Sequence, residues 1–434
     1  MHPSPAGPPS YRPGPGLEIR PFRALTYRRR DPDHLARVSS PAYDLVTPTG
    51  RERLAAADPH NVVRLILPGA GGRGASSPEL AARTLADWRR DGVLARDEDE
   101  ALWLYDLTPV DGGPATSGWL GAVSLPAADS TAVLPHEDTF PEAVEGRRAL
   151  LAATGTDLEP IILAHDPAPD VAGLAAAARR AQAAMDLIDA DGVRHRLWRV
   201  GDPSLIAAVR DALGRTEAVI ADGHHRFAAA RANARARHGA GGSDSVLALV
   251  TPMGPGGLRV DPIHRVVPGL TLEAALAGAA RGFVTADVPV GPGSAVGGVV
   301  ATARRWLDDP AERGFLISDG RRLVRLTAPS PEVRAAVPAE APPAWRDLDV
   351  VLAHHGLIGH LWRRPDTVDS IVIAHGLEEA LTAAAEGSGV ALLLRAPSPT
   401  DVAAVARAGA RMPRKSTLFV PKPRTGLVLR PLED

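Results

Sequence analysis

The stretch TEAVIADGHHRFAAA, residues 216–230, limits the fold more than any other. Its apolar run at 218–221 leads into Asp222, Gly223, His224, His225 and Arg226, and an alanine-rich segment follows to about residue 236. This pattern predicts a strand, a tight turn and a helix. A helix that starts there offers unpaired backbone N–H groups and a partial positive charge to whatever lies before it. An anion is the natural occupant. Asp222 adds a cation ligand, the two histidines add groups that titrate near neutrality, and Arg226 adds a fork for phosphate.

Composition narrows the choices around this turn. Cysteine is absent, which removes disulfides, thiolate metal ligands and cysteine nucleophiles. With 49 basic and 51 acidic residues the formal charge is −2, so no general field attracts nucleic acid or an anionic membrane. No apolar run approaches the roughly 20 residues of a membrane span, and the N-terminus has no apolar core for a secretory signal. A cytoplasmic protein acting on a small molecule is expected, without nucleic-acid or membrane partners and with a homodimer left open.

Taken in order, the chain alternates strands and helices, which predicts an α/β class with a mixed core. Residues 1–16, rich in Pro, Gly and Ser, are expected to form a disordered tail, residues 17–270 the main α/β domain and residues 271–434 a smaller α/β unit. Strands are predicted at 60–68, 101–107, 118–125, 161–164, 193–200, 218–221 and 244–252. Helices are predicted at 49–57, 78–92, 171–185, 204–213, 271–281, 297–307, 346–361 and 400–409.

Four further blocks carry side chains with chemistry. PAYD places Tyr43 and Asp44 after a proline, in a segment expected to be extended, where Asp44 is read either as a turn residue or as a functional carboxylate. LPHEDTF holds His136 and Glu137, a general base with its neighbour or part of a cation site, and Arg147 and Arg148 follow as phosphate or carboxylate clamps. VDPIHRVV contains His264 and Arg265 as candidate substrate contacts. Near the end, RKST and VPK bring Arg414, Lys415, Ser416, Thr417 and Lys422 together as a group suited to phosphate or simply as a basic terminus.

RPFRAL, PAYD, HNVVRLILP, LPHEDTF, ADGHHRFAAA, the His264–Arg265 pair and MPRKSTLFVPK follow, in this order, the pattern of the bacterial family called domain of unknown function 1015. The chain is therefore identified as a member of that family, although PAYD departs from its usual two prolines before the tyrosine. Over about ten residues the central turn also resembles the nucleotide motif of the ParB and sulfiredoxin superfamily, including the DGHTR stretch of free serine kinases. That resemblance implies a ParB/sulfiredoxin-like core within the larger domain, with ATP or ADP and Mg²⁺ as cofactors and phosphoryl transfer to a small hydroxylated metabolite such as serine. In this scheme Gly223, His225 and Arg226 hold the nucleotide, helped by Lys415, Ser416, Thr417 and Lys422. Asp222 and Glu137 hold the metal, His224 and His136 assist the chemistry, and Glu137 or Asp44 is the base. Two other readings stay open: a metal-dependent hydrolase using His136, Glu137, His224, His225 and His264 around Zn²⁺, Mn²⁺ or Fe²⁺, and a nucleotide-binding regulatory module without catalysis. Sulfinic acid repair is excluded because it needs a cysteine.

Overall fold

The computed structural model describes residues 16–69, 77–127, 130–291, 295–367, 369–387 and 389–432. The expected tail therefore lies outside the described residues except for Gly16. The chain divides into two compact units, the first made of residues up to 135, 139–258 and 421 onward, the second of 136–138 and 259–420. Residue 258 is thus where the first long excursion ends, twelve residues before the expected change of texture.

In the first unit, nine described strands form one mixed sheet: β1 (Ile19–Arg20), β2 (Leu102–Pro109), β3 (Thr116–Ser124), β4 (Val133–Leu134), β5 (Ile161–His165), β6 (Met185–Ile188), β7 (Val193–Val200), β8 (Ala218–Asp222) and β9 (Ser245–Pro252). Their order is β4-β8-β5-β9-β3-β2-β7-β6, with β1 on β3. The β8–β4 and β9–β5 pairs are parallel, whereas β5 and β8 run antiparallel, with Ala218 opposite His165 and Asp222 beside Ile162.

Neighbouring residues of the central strands point to opposite faces, and here both faces are covered. Trp103, Tyr105, Leu107, Leu247 and Leu249 belong to one buried cluster, while Leu102, Leu104, Val246, Ala248 and Val250 belong to another. This is why the strands read as continuous apolar runs and not as alternation. Helices α1 (Ser77–Arg90), α2 (Pro141–Thr154), α3 (Pro169–Ala178), α4 (Pro203–Leu213) and α5 (His224–Ala236) provide the cover, α2 packing on both α1 and α5.

Three local expectations change. Residues 60–68 are not a strand: Val63–Ile66 is a short helix, because Asn61 accepts the Val63 N–H at 2.9 Å and donates to the Arg37 and Ser39 carbonyls. The helix expected to 185 stops at Ala178, and its last residues give way to β6, which pairs with β7 and is tied to it by Asp186 and Arg194. Tyr43–Leu45 is a 3₁₀ turn instead of an extended segment.

The second unit has an antiparallel sheet of six strands, in the order Val284–Asp287, Leu323–Thr327, Phe315–Ser318, Val390–Leu393, His264–Val267, Val372–Ala374. Helices Ala295–Asp308 and Leu377–Glu386 pack on it through Val299, Ala303, Trp306, Leu381 and Ala384. The helix expected over 346–361 is broken into Pro343–Arg346, Asp349–Leu352 and a π-helical turn, Ala353–Leu361. Among the described residues, no helix is long and apolar enough to cross a membrane.

Candidate functional site

The central turn depends on its glycine. Gly223 has φ +94°, and a Cβ there would stand 2.8 Å from Ile161 Cγ2. Any other residue meets both a left-handed backbone and a clash with β5. The chain then turns straight into α5, whose first residue, His224, is buried. The predicted strand, turn and helix therefore stand where the sequence pattern put them.

Around this turn the first unit gathers residues from four distant blocks. Lys422 Nζ donates to Asp222 Oδ1 at 2.6 Å and to Asp44 Oδ2 at 2.8 Å. The other Asp222 oxygen accepts from Arg226, whose second terminal nitrogen donates to the Pro160 carbonyl at 2.5 Å. Tyr43 lies beneath two guanidinium groups, with the Arg147 carbon 4.3 Å and the Arg226 carbon 5.6 Å from its ring centre. Arg147 also donates to the Ile66 carbonyl at 3.1 Å. Glu159, buried behind them, accepts from the Tyr43 N–H and the Thr425 hydroxyl, each at 3.0 Å. A cavity of about 50 Å³ is lined by Arg147, Glu159 and Arg226, room for only a few water-sized groups.

Three cations thus face three carboxyl groups, and for Asp44, Lys422, Glu159 and Arg226 burial competes with charge. Burial pushes Asp44 up, but Lys422 outweighs it, by charge and by hydrogen bond, and holds the carboxyl below its ordinary range. Burial likewise pushes Lys422 down, yet Asp222 and Asp44 reverse this and raise its ammonium. Glu159 ends above the usual carboxylate range, since burial exceeds the pull of Arg226. Burial lowers Arg226 too, and Glu159 and Asp222 overcome it, so the guanidinium stays charged. One of its donors is unmet: Nε is buried and makes no hydrogen bond to any described residue. That nitrogen lies 3.2 Å from where a Gly223 Cβ would be, so it packs closely against the turn.

The remaining predicted residues have other partners. His225 accepts the Phe140 N–H at 3.1 Å and stacks on the Phe140 ring, so it ties α5 to the entry of α2. Arg148 forms a two-pronged pair with Glu145 on its own helix. His136 and Glu137 belong to the second unit, where the Thr417 hydroxyl donates to Glu137 Oε1 at 3.2 Å and meets His136 Nε2 at 3.0 Å. Ser416 is buried and donates to the Pro413 carbonyl, while Lys415 is exposed. His264 and Arg265 are fully buried in that unit. His264 Nδ1 accepts the Leu394 N–H, and Arg265 donates to His354 and to the Arg414 and Lys415 carbonyls.

The terminal group of cations and hydroxyls is therefore divided: Lys422 joins Asp44 and Asp222, whereas Lys415, Ser416 and Thr417 go with the second unit. The histidines considered as one metal shell are divided in the same way. Among the described residues, no three His, Asp or Glu side chains are grouped to hold a metal ion. Glu159 and Thr425 were missed. The only signal was a lone glutamate in TGTDLEP, a stretch that reads as a turn but contains the short strand Thr156–Asp157.

The fold and the turn define a mixed α/β protein with a charged strand-to-helix junction in its larger unit. The chain belongs to the family described as protein of unknown function DUF1015, whose model matches residues 19–351. No curated protein matches it. Among solved structures it is similar to SbnI with a C-terminal truncation from Staphylococcus aureus, at 14% identity over 72% of this chain and 87% of that one, TM-score 0.36. It is also similar to a free serine kinase in complex with AMP, at 15% identity over 68% of this chain and 88% of that one, TM-score 0.31. A conserved hypothetical protein from Pyrococcus furiosus matches at 15% identity over 70% of this chain and 93% of that one, TM-score 0.32.

Proposed function

We propose that this protein is a nucleotide-dependent phosphotransferase acting on a small hydroxylated metabolite, with an amino acid such as serine as the first acceptor to test. The observation that carries this reading is the unmet, buried Arg226 Nε–H beside Gly223, at the start of a 13-residue helix. The motif DGHHR, with its likeness to the free serine kinase turn, supports the same assignment. An anion completes such a site, because it accepts both the side-chain donor and the first backbone N–H groups of α5.

In this reading a phosphate of ATP or ADP rests on the N-terminus of α5 and on Arg226, with Lys422 neutralising it. Lys422 then trades its contact with Asp44 for one with the phosphate. Asp44, ionised at neutral pH because its pKa is lowered, takes the proton of the acceptor hydroxyl as the acceptor oxygen bonds to phosphorus and the bond from phosphorus to the leaving nucleotide oxygen breaks. Tyr43 and Arg147 form the wall that orients the acceptor. The residues fit a phosphate better than a metal, since Lys422 already satisfies both carboxylates that would hold one. A Mg²⁺ carried in by the nucleotide would supply charge neutralisation, with Asp222 as its protein ligand.

Binding and turnover test this separately. ATP or ADP should raise the melting temperature, since a ligand of the folded state stabilises it by mass action. Arg226→Ala should weaken nucleotide binding by about 1.5–3 kcal/mol, as expected for a charge-assisted hydrogen bond. Its urea-unfolding curve checks that the variant is folded. Asp44→Asn should slow turnover far more than it weakens binding. Absence of nucleotide binding by the wild type would overturn the proposal, and binding without transfer to any hydroxylated metabolite would make the protein a nucleotide-binding module.

A further inference from the structure

A second cleft of about 360 Å³ opens in the first unit, at the opposite end of β5 from the charged turn. Asp222 lies beside Ile162, while the cleft begins at His165, three residues and roughly 10 Å further along the strand. Its walls are Trp119 of β3, Ala172 and Ala175 of α3, and Pro252 at the end of β9. Arg179 lies at its edge with its charge already matched, because it donates to both Asp106 oxygens at 2.8 Å and to the Ser117 hydroxyl at 2.6 Å. The cleft is therefore apolar and balanced in charge, which suits an uncharged occupant.

One group in it is unmet. His165 is 1% exposed, and its Nδ1 lies 2.6 Å from the Asp166 carbonyl oxygen. A carbonyl only accepts, so Nδ1 carries the proton and Nε2 presents a bare lone pair. Burial lowers the pKa of this imidazole, which keeps Nε2 unprotonated at neutral pH. Nε2 makes no hydrogen bond to any described residue. A buried acceptor without a donor is costly, and a ligand that brings the donor removes the cost.

We propose that this cleft binds a small, uncharged, largely apolar molecule carrying one O–H or N–H group, which it donates to His165 Nε2. Its size falls within the range of small-molecule sites, as does its pattern of apolar walls with one oriented polar group. The site is separate from the nucleotide reading, and neither depends on the other.

The test uses 2-naphthol and 2-methoxynaphthalene, which share a frame and differ in the donor, titrated into the full chain by calorimetry. The hydroxyl compound should bind about tenfold more tightly, the effect of roughly one hydrogen bond. Ala172 is exposed and lines the cleft, so Ala172→Trp should fill it and abolish binding of both probes without disturbing the core. His165→Phe should leave the two probes equal. Should that variant fail to fold, the probe pair and Ala172→Trp still decide. Failure of 2-naphthol to bind, equal affinity of the two probes for the wild type, or binding that survives Ala172→Trp would each overturn the proposal.

Discussion

Two polar clusters, one in each unit, solve the same problem in different ways. In the first unit Asp44, Lys422 and Asp222 bring full charges from three distant segments to within hydrogen-bond distance. In the second, Glu137, Thr417 and His136 are joined through a neutral hydroxyl. Glu137 accepts the only proton of that hydroxyl, so His136 Nε2 must be the donor to it, which selects one tautomer. A cluster of charges is tolerant of direction and can exchange a partner for an ion of a ligand. A hydroxyl chain is directional and loses its logic when one member is replaced. The first therefore suits anion binding, and the second suits the fixing of a side chain, His136, that is fully buried.

The largest expected effect tests the charged cluster. Lys422→Met leaves two facing carboxylates without their common cation; removal of one partner from a buried ion pair costs about 3–5 kcal/mol, and the exposure of Asp44 to solvent brings the expected loss to the lower end of that range. Urea unfolding should show a loss of this size. Adding Asp44→Asn and Asp222→Asn to Lys422→Met should recover much of it. If the triple variant is no more stable than the single one, charge balance is not what holds the cluster together.

A comparable effect is expected in the second unit, through pH. Burial, with Arg265 beside it, pushes the His264 imidazole down to about 4, against 6.5 for an unhindered histidine. Between those values the unfolded chain binds a proton that the folded chain does not, so stability falls as the pH drops through this window. The displacement corresponds to about 3 kcal/mol at 1.36 kcal/mol per pH unit, fully present at pH 7. Unfolding midpoints measured from pH 7 to pH 4 should fall for the wild type and fall less for His264→Gln. Identical slopes would remove His264 from the account. A smaller loss, about 1–3 kcal/mol, is expected from Gly223→Ala, which combines a left-handed backbone with the contact to Ile161.

The comparison also indicates what could be read from the chain before its fold was known. The turn at 222–226 was legible because a strand, a glycine and a helix are written in local order, and the central strands were legible because they are apolar on both faces. Partners were not. Lys422 lies near Lys415 in sequence and reads with it as one basic group, yet only Lys422 meets Asp44 and Asp222. Arg265 reads as a substrate contact, and its guanidinium is instead held by His354 and four backbone carbonyls. Glu159 is a lone acid in an irregular stretch, and nothing local marks it as the acceptor for Tyr43 and Thr425. Long-range pairing of charged side chains leaves no period in the sequence, whereas burial of strands and helices does. Residues 60–68 fail for a related reason, because a single side chain, Asn61, redirects an apolar run into a helical turn.

The smallest expected effect addresses the hydroxyl chain directly. Thr417→Val keeps the shape and removes the hydroxyl that joins Glu137 and His136. A cost of about 1 kcal/mol is expected, the usual net contribution of one hydrogen bond. Thr417→Ser should restore most of it, because the hydroxyl returns while only a methyl group is lost. Comparing the two by urea unfolding separates hydrogen bonding from packing. A Ser variant as unstable as the Val variant would mean that the methyl group, and not the bridge, holds His136 in place, and the contrast with the charged cluster would then be one of packing instead of direction.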